Sequence, residues 1–132
     1  MNNRFKFRVW SKQSNSYIKE KMFYIDKFGY LFKYEKSKST VYINAPSPYV
    51  MCLCGDNYII EQCTGLKDKN GKLIYEGDII LVEDNKCPIE WESENARYNV
   101  VGYGEIAYLN YNDIEVIGNI HENADLIKVG GK

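Results

Sequence analysis

The segment that comes nearest to a chemical signature is Gly65-Leu66-Lys67-Asp68-Lys69-Asn70-Gly71-Lys72. A phosphate loop needs four residues between its glycines and a Ser or Thr after its lysine, so that backbone amides wrap the phosphates and the hydroxyl holds magnesium. Here five residues separate Gly65 from Gly71, Leu73 takes the hydroxyl position, and no helical pattern follows. Two successive turns explain the stretch better. Asp68-Lys69-Asn70-Gly71 also has the opening of a calcium loop, but the third ligand and the closing bidentate Glu are missing. The cysteines are Cys52, Cys54, Cys63 and Cys87. Structural zinc uses two close Cys pairs, whereas a single residue separates Cys52 from Cys54, and Cys63 and Cys87 stand 24 apart. On an extended strand Cys52 and Cys54 share a face and could line one pocket. Small apolar thiols in a core are the better reading, so neither a metal nor a cofactor is expected.

Acid–base and nucleophilic catalysis lean on histidine, and His121 is the only one. It follows a strand pattern and precedes a polar turn, which predicts an exposed surface residue. Ser37, Ser39 and Ser93 sit in polar runs without a nucleophile-elbow context. Glu90, Glu92 and Glu94 repeat every second residue and would form one acidic, solvent-facing row on a strand. No catalytic residue is assigned, and an enzyme is not expected. The remaining lead is basic and aromatic: Arg4, Lys6 and Arg8 share one face of a strand that Trp10 continues. Cations track phosphates and rings stack on unpaired bases, so these four residues are the candidate site for single-stranded nucleic acid. The net charge of −1 and the isoelectric point near 5.9 argue against it.

The elements that would position these groups are mostly strands. The 132 residues fit one domain or two very small lobes, and 45% hydrophobic content supports a packed core. Residues 4–10 alternate, with Phe5, Phe7 and Val9 on the buried side. Residues 17–25 and 28–34 read as an aromatic hairpin around Asp26-Lys27, residues 35–39 as a loop, and Thr40–Ile43 as a short strand. Pro46 and Pro48 break pairing. Residues 49–53 and 58–63 are strands joined by a turn at 54–57. Asn70-Gly71 and Gly77-Asp78 are turns, the first with both residues suited to positive φ and the second with Asp78 able to bond backbone amides. Residues 79–83, 103–109 and 114–120 are strands, 84–88 and 110–113 are loops, and 89–101 has no clear pattern. Gly118 suggests a bulge, and 122–127 a short helical turn before a frayed end.

Three blocks resemble the YopX family of phage and prophage proteins. They are Phe7-Arg8-Val9-Trp10 followed by Met22; Thr64-Gly65-Leu66-Lys67-Asp68-Lys69-Asn70-Gly71-Lys72 with Ile74-Tyr75-Glu76-Gly77-Asp78-Ile79; and Ile114 to Ile120 running on to Glu122-Asn123. Ala124 stands where a proline is usual, and Cys63 where an aromatic is common. The resemblance implies a phage or prophage origin and a small C-terminal barrel of the Src-homology-3 type with additional N-terminal strands. It implies no established activity and no catalytic residue. Gly65, Asn70, Gly71, Gly77, Asp78 and Gly118 are expected to serve as structural turns.

Charge is distributed unevenly. Residues 1–60 carry 10 Lys/Arg against 4 Asp/Glu, a net of +6, and residues 61–132 carry 7 against 14, a net of −7. Such a split fits a nucleic-acid face, two docking lobes or head-to-tail assembly; charges interleaved on one folded surface are the plainer reading. No run approaches the ~18 apolar residues of a membrane helix, and the N-terminus has no continuous apolar segment after its basic residues, so a cytoplasmic protein without a membrane partner is expected. Two functions follow. The first is a non-catalytic phage accessory protein that binds a protein or self-associates; the second is a single-strand nucleic-acid-binding protein.

Overall fold

β-Branched and aromatic residues interrupted by Gly and Asn commit most of this chain to short strands, and the computed structural model of the protein is mostly β. It describes residues 3–19, 23–35, 49–52 and 57–127. The strands are β1 (Phe7–Ser11), β2 (Ser16–Tyr17), β3 (Phe23–Ile25), β4 (Leu31–Glu35), β5 (Tyr49–Cys52), β6 (Tyr58–Lys67), β7 (Leu73–Tyr75), β8 (Asp78–Val82), β9 (Asn85–Glu92), β10 (Arg97–Val100), β11 (Gly104–Glu105) and β12 (Ile114–Asn119). The expected strand at 40–43, the breaks at Pro46 and Pro48, most of the 35–39 loop and of the 54–57 turn, and the end from 128 onward lie outside the described residues.

The chain forms two compact units, one of Met1–Val9 with Ile60–Lys132 and one of Trp10–Ile59. The boundaries fall inside β1 and β6, so the first nine residues group with the C-terminal part. Counted by unit, the first holds 10 Lys/Arg against 14 Asp/Glu and the second 7 against 4.

In the larger unit, β8 to β11 form an antiparallel meander, and β12 returns to pair with β8, giving the order β11-β10-β9-β8-β12. Two 3-10 turns, Ile106–Tyr108 and Tyr111–Asp113, carry the chain from β11 to β12. Ile74, Ile80, Val82, Cys87, Ile89, Val100, Ile106 and Ile114 close the core of this unit. Six of the eight are β-branched Ile or Val lying in strands, the geometry in which a branched Cβ packs without rotamer loss. β6 pairs with β7, and the Cys63 amide donates to the Lys6 carbonyl at 2.8 Å.

The loop joining β6 to β7 is built around Asp68. Its Oδ1 accepts from the amides of Asn70 and Lys72, each at 2.9 Å, and its Oδ2 accepts from the Val116 amide of β12 at 2.9 Å. Positive φ falls on Gly71 alone, at +80°, not on both residues of the Asn70-Gly71 pair. The Gly71 amide donates to the Asp68 carbonyl, and the Asp68 amide to the Lys72 carbonyl, so the loop is wider than a two-residue hairpin. Gly65 has φ of +87° where the β6–β7 register shifts, and β12 changes register between Val116 and Gly118.

In the smaller unit, β3, β4 and β5 make a three-stranded antiparallel sheet. Trp10 and Ser11 pair with Tyr17 and Ser16, and the Trp10 and Tyr17 rings meet edge to face at 4.9 Å. The β3–β4 turn spans Asp26 to Tyr30, longer than the expected Asp26-Lys27, because Asp26 Oδ1 accepts from the amides of both Phe28 and Tyr30.

Several expectations are corrected. Asn3–Phe5 is a 3-10 turn and β1 begins at Phe7, so Phe5 is exposed. Val9, Trp10 and Ser11 are buried in succession, which abolishes the alternation at that end. The expected 84–88 loop is the start of β9: Glu83 and Asp84 both take positive φ and turn the chain within two residues. The unclear stretch 89–101 is the β9–β10 hairpin. The expected strand 103–109 is β11 and a 3-10 turn, since Gly102 and Gly104 at positive φ interrupt extension.

Candidate functional site

Residues distant in sequence meet in a buried charge cluster in the larger unit. Arg8 Nε donates to Glu61 Oε1 at 2.8 Å, and its Nη2 lies 2.7 Å from Asp78 Oδ1. The same nitrogen reaches the Glu76 carbonyl at 3.2 Å, and the guanidinium sits 4.8 Å from the centre of the Tyr75 ring. His121 Nε2 is 2.8 Å from Glu61 Oε2. Asp78 Oδ2 accepts from the Tyr75 amide at 2.8 Å. Glu61 and Asp78 are each 2% exposed, and burial holds the Asp78 carboxyl above its ordinary range although Arg8 pulls it down.

Carboxylates, a histidine and an arginine could in principle move protons. Here every carboxylate oxygen of Glu61 and Asp78 already has an internal partner. The arrangement therefore joins β1, β6, the turn before β8, and the segment after β12. His121 is not the exposed residue its sequence context suggests: Asn119 caps its amide and the ring turns inward to Glu61.

Gly77 is required beside this cluster. Its φ is +85°, and a Cβ there would run into the Glu61 carboxylate. Its carbonyl accepts from the Ile120 amide at 2.8 Å. Gly77→Ala combines backbone strain with a collision against a buried charge, and is expected to lower unfolding free energy by about 2–3 kcal/mol in urea titrations, whereas Gly71→Ala, with open space around it, should lose about 1 kcal/mol.

One open feature of this unit is a groove of about 590 Å³ at the two 3-10 turns. Its walls come from Tyr103, Tyr108, Leu109, Asn110 and Asn112, with Val82 and Ile114 deeper and Lys69, Glu83 and Asp113 around them. Tyr103 is fixed: Asn85 Nδ2 donates to its hydroxyl at 2.6 Å. Asn110 Oδ1 accepts from the Asn112 amide and sets the second 3-10 turn. Tyr108, by contrast, is 84% exposed. A fixed ring, an exposed amphipathic ring, an apolar floor and side-chain amides suit recognition of an extended polypeptide segment. Neither Tyr103 nor Tyr108 stands out in sequence; the only hint is that residues 103–113 carry three tyrosines without a strand or helix period.

A protein-family model described as YopX protein matches residues 6–128. The chain belongs to the YopX family. Protein EF1440 from Enterococcus faecalis is 24% identical, with 93% of this chain and 97% of that one covered and a TM-score of 0.59. Protein yopX from Bacillus subtilis is 19% identical, with 97% and 100% covered and a TM-score of 0.61. At these identities the likeness speaks for the fold alone. No curated protein matches.

In this YopX-family chain the four residues considered for nucleic-acid binding do not form one exposed face. Arg8 is engaged by two carboxylates, and Trp10 is 3% exposed. Lys6 is exposed, and the Arg4 side chain lies outside the described positions. Charge pairing and aromatic burial draw Arg8 and Trp10 inward, where a period-two pattern placed them outward. Of the cysteines, Cys63 and Cys87 are buried free thiols; the Cys52 side chain and Cys54 lie outside the described residues. Among the described residues no three His, Cys, Asp or Glu gather as a metal site, and no helix is long and apolar enough to cross a membrane. The acidic row dissolves: Glu92 is engaged by Arg97 and Asn95, and Glu94 lies in the turn beyond β9.

Proposed function

We propose that this protein is a non-catalytic accessory module, phage- or prophage-encoded and acting in the host cytoplasm, that binds a protein segment in the Tyr103–Tyr108 groove; the segment belongs to a partner protein or to a second copy of the chain. The observation that carries the reading is that groove, with an exposed tyrosine standing over an apolar floor. We also read the five-stranded sheet as a barrel of the Src-homology-3 type. Support comes from the return of β12 to β8 and from the 3-10 turns just before it. The groove has Glu83 and Asp113 against one lysine, and Lys69 is already paired with Glu115 at 3.3 Å. That balance repels phosphate and favours a neutral or basic peptide.

The single-stranded nucleic-acid reading draws on a different place. The β3–β4 turn exposes Phe28 and Tyr30 beside Lys27, in the unit with excess positive charge. Both readings meet one experiment. Peptides selected from a random display library on the immobilised protein are expected to bind with micromolar affinity, weakened about tenfold by Tyr108→Ala (hot-spot tyrosines commonly contribute this much). Labelled oligonucleotides are expected to show no salt-sensitive binding. Failure to select any peptide, or peptide binding indifferent to Tyr108→Ala, would remove the groove as the site.

A further inference from the structure

A second pocket of the larger unit, about 410 Å³, shares no lining residue with the groove; Gln62, Cys63, Thr64, Glu76, Trp91 and Tyr98 line it. Trp91 and Tyr98 are directly opposed across β9 and β10, and their rings meet at 5.0 Å with planes 63° apart, forming a two-walled aromatic corner. Trp91 is half exposed at the mouth. The Glu76 backbone is fixed, its amide donating to the Gln62 carbonyl at 3.0 Å. Its carboxylate accepts a hydrogen bond from the Gln62 backbone but makes no ion pair among the described residues, unlike the neighbouring Glu61 and Asp78, which each hold Arg8. Burial is the chief cause that raises its pKa, with the Glu61 charge adding to it against Arg8 and the backbone bond. The Tyr98 hydroxyl pKa is raised by burial and by the Glu76 charge, and both residues line the pocket.

We infer that this pocket binds an organic cation, the guanidinium or alkylammonium head of an Arg or Lys side chain, with Glu76 as its counter-ion and Trp91 and Tyr98 as its walls. A cation against ring faces is attracted by their quadrupoles, and the attraction grows where water is partly excluded. A half-buried carboxylate held by a backbone hydrogen bond but by no ion pair is stabilised by the arrival of a positive charge. Phosphates and carboxylates are repelled by the same charge, and a neutral ligand gains nothing from it. Inorganic cations are poorly served, because a single carboxylate with an amide and a hydroxyl falls short of the ligand set a hard metal takes.

The inference stands whether or not the groove binds a peptide, and it is tested with small molecules on the full chain. N-acetyl-arginine amide, N-acetyl-lysine amide and the neutral N-acetyl-citrulline amide are titrated at constant ionic strength, reading the indole N–H resonance of Trp91, assigned by its loss in Trp91→Phe. Saturable shifts are expected with one or both cations, with affinity at least about tenfold above citrulline, the ratio set by a partly desolvated cation–ring contact. Response to arginine alone identifies guanidinium as the head group, and response to both identifies positive charge in general. Glu76→Gln should weaken the cation about fivefold or more and leave citrulline unchanged. Equal binding of cations and citrulline, or undiminished cation binding by a folded Glu76→Gln, would overturn the inference. Should Glu76→Gln fail to fold, the comparison of cation with citrulline on the parent protein decides alone.

Discussion

Arg8→Met is expected to lower the unfolding free energy by about 3 kcal/mol at neutral pH, the lower part of the range seen when one member of a buried charge pair is removed. The lower part applies because the Arg8 side chain keeps one-fifth of its surface in water. The loss arises less from the contacts of Arg8 than from what it leaves behind: Glu61 and Asp78 would stay nearly inaccessible and without this cation. Arg8→Lys should recover only part of the stability, since an ammonium cannot present Nε to Glu61 and Nη2 to Asp78 with the planar geometry of a guanidinium. A double-mutant cycle with Glu61→Gln should show a coupling of about 2 kcal/mol. The deficit should also depend on pH. The Asp78 carboxyl is already held above its ordinary range by burial, against the pull of Arg8. For such a group the ionised form is disfavoured by folding, so stability is present below the unfolded pKa and lost as pH rises through the folded one. Without Arg8 that loss is larger, and urea titrations of the variant at pH 4.5 and pH 7 (values chosen to bracket carboxylate ionisation) should show the greater deficit at pH 7. An equal deficit at both would mean that Arg8 acts through packing alone.

Asp68→Ala is the second large effect, about 3 kcal/mol. One carboxylate there accepts from three backbone amides, two in the β6–β7 loop and one in β12, and hydrogen bonds to a charged acceptor contribute about 1.5–3 kcal/mol each before the loop relaxes. Asp68→Asn should lose about 2 kcal/mol, because its amide nitrogen must face one of the backbone N–H groups and two donors would then oppose each other. Burial works to raise the Asp68 pKa, but the bonds from Val116, Lys72 and Asn70 outweigh it and hold the carboxyl below its ordinary value. The sign is therefore opposite to that of Asp78: the contribution is complete above the unfolded pKa and disappears as pH falls through the folded value. Wild type and Asp68→Ala should converge in stability toward acid pH, as read by thermal unfolding. A gap that stayed constant would place the role of Asp68 in loop shape instead of charge.

Two strands of the larger unit were legible in the sequence. Gly77-Asp78 before an apolar run marks β8, and Ile114 to Ile120 marks β12, because a turn residue followed by β-branched residues leaves few alternatives. Pattern reasoning failed where tertiary partners decide. Arg8 alternates with apolar neighbours as a solvent-facing cation would, yet that face of β1 meets carboxylates 53 and 70 residues away, and nothing local announces them. Trp10 continues the polar face in that pattern, yet its ring is buried against Tyr17. The turns near Glu83 and Ala96 use positive φ at non-glycine positions, so the β9–β10 region carried no glycine punctuation. The groove was invisible for a related reason: it is made by two 3-10 turns whose period matches neither a helix nor a strand.

The claim that the protein acts by binding a polypeptide at the 3-10 turns is tested most directly by amide hydrogen exchange of the full chain, alone and saturated with a display-selected peptide. Protection confined to residues 103–113 and the adjoining start of β12, and lost in Tyr108→Ala, is the predicted result. Protection at residues 4–10 or 26–30 with an oligonucleotide, and none at 103–113 with any peptide, would contradict it and assign binding to the basic, aromatic N-terminal segments.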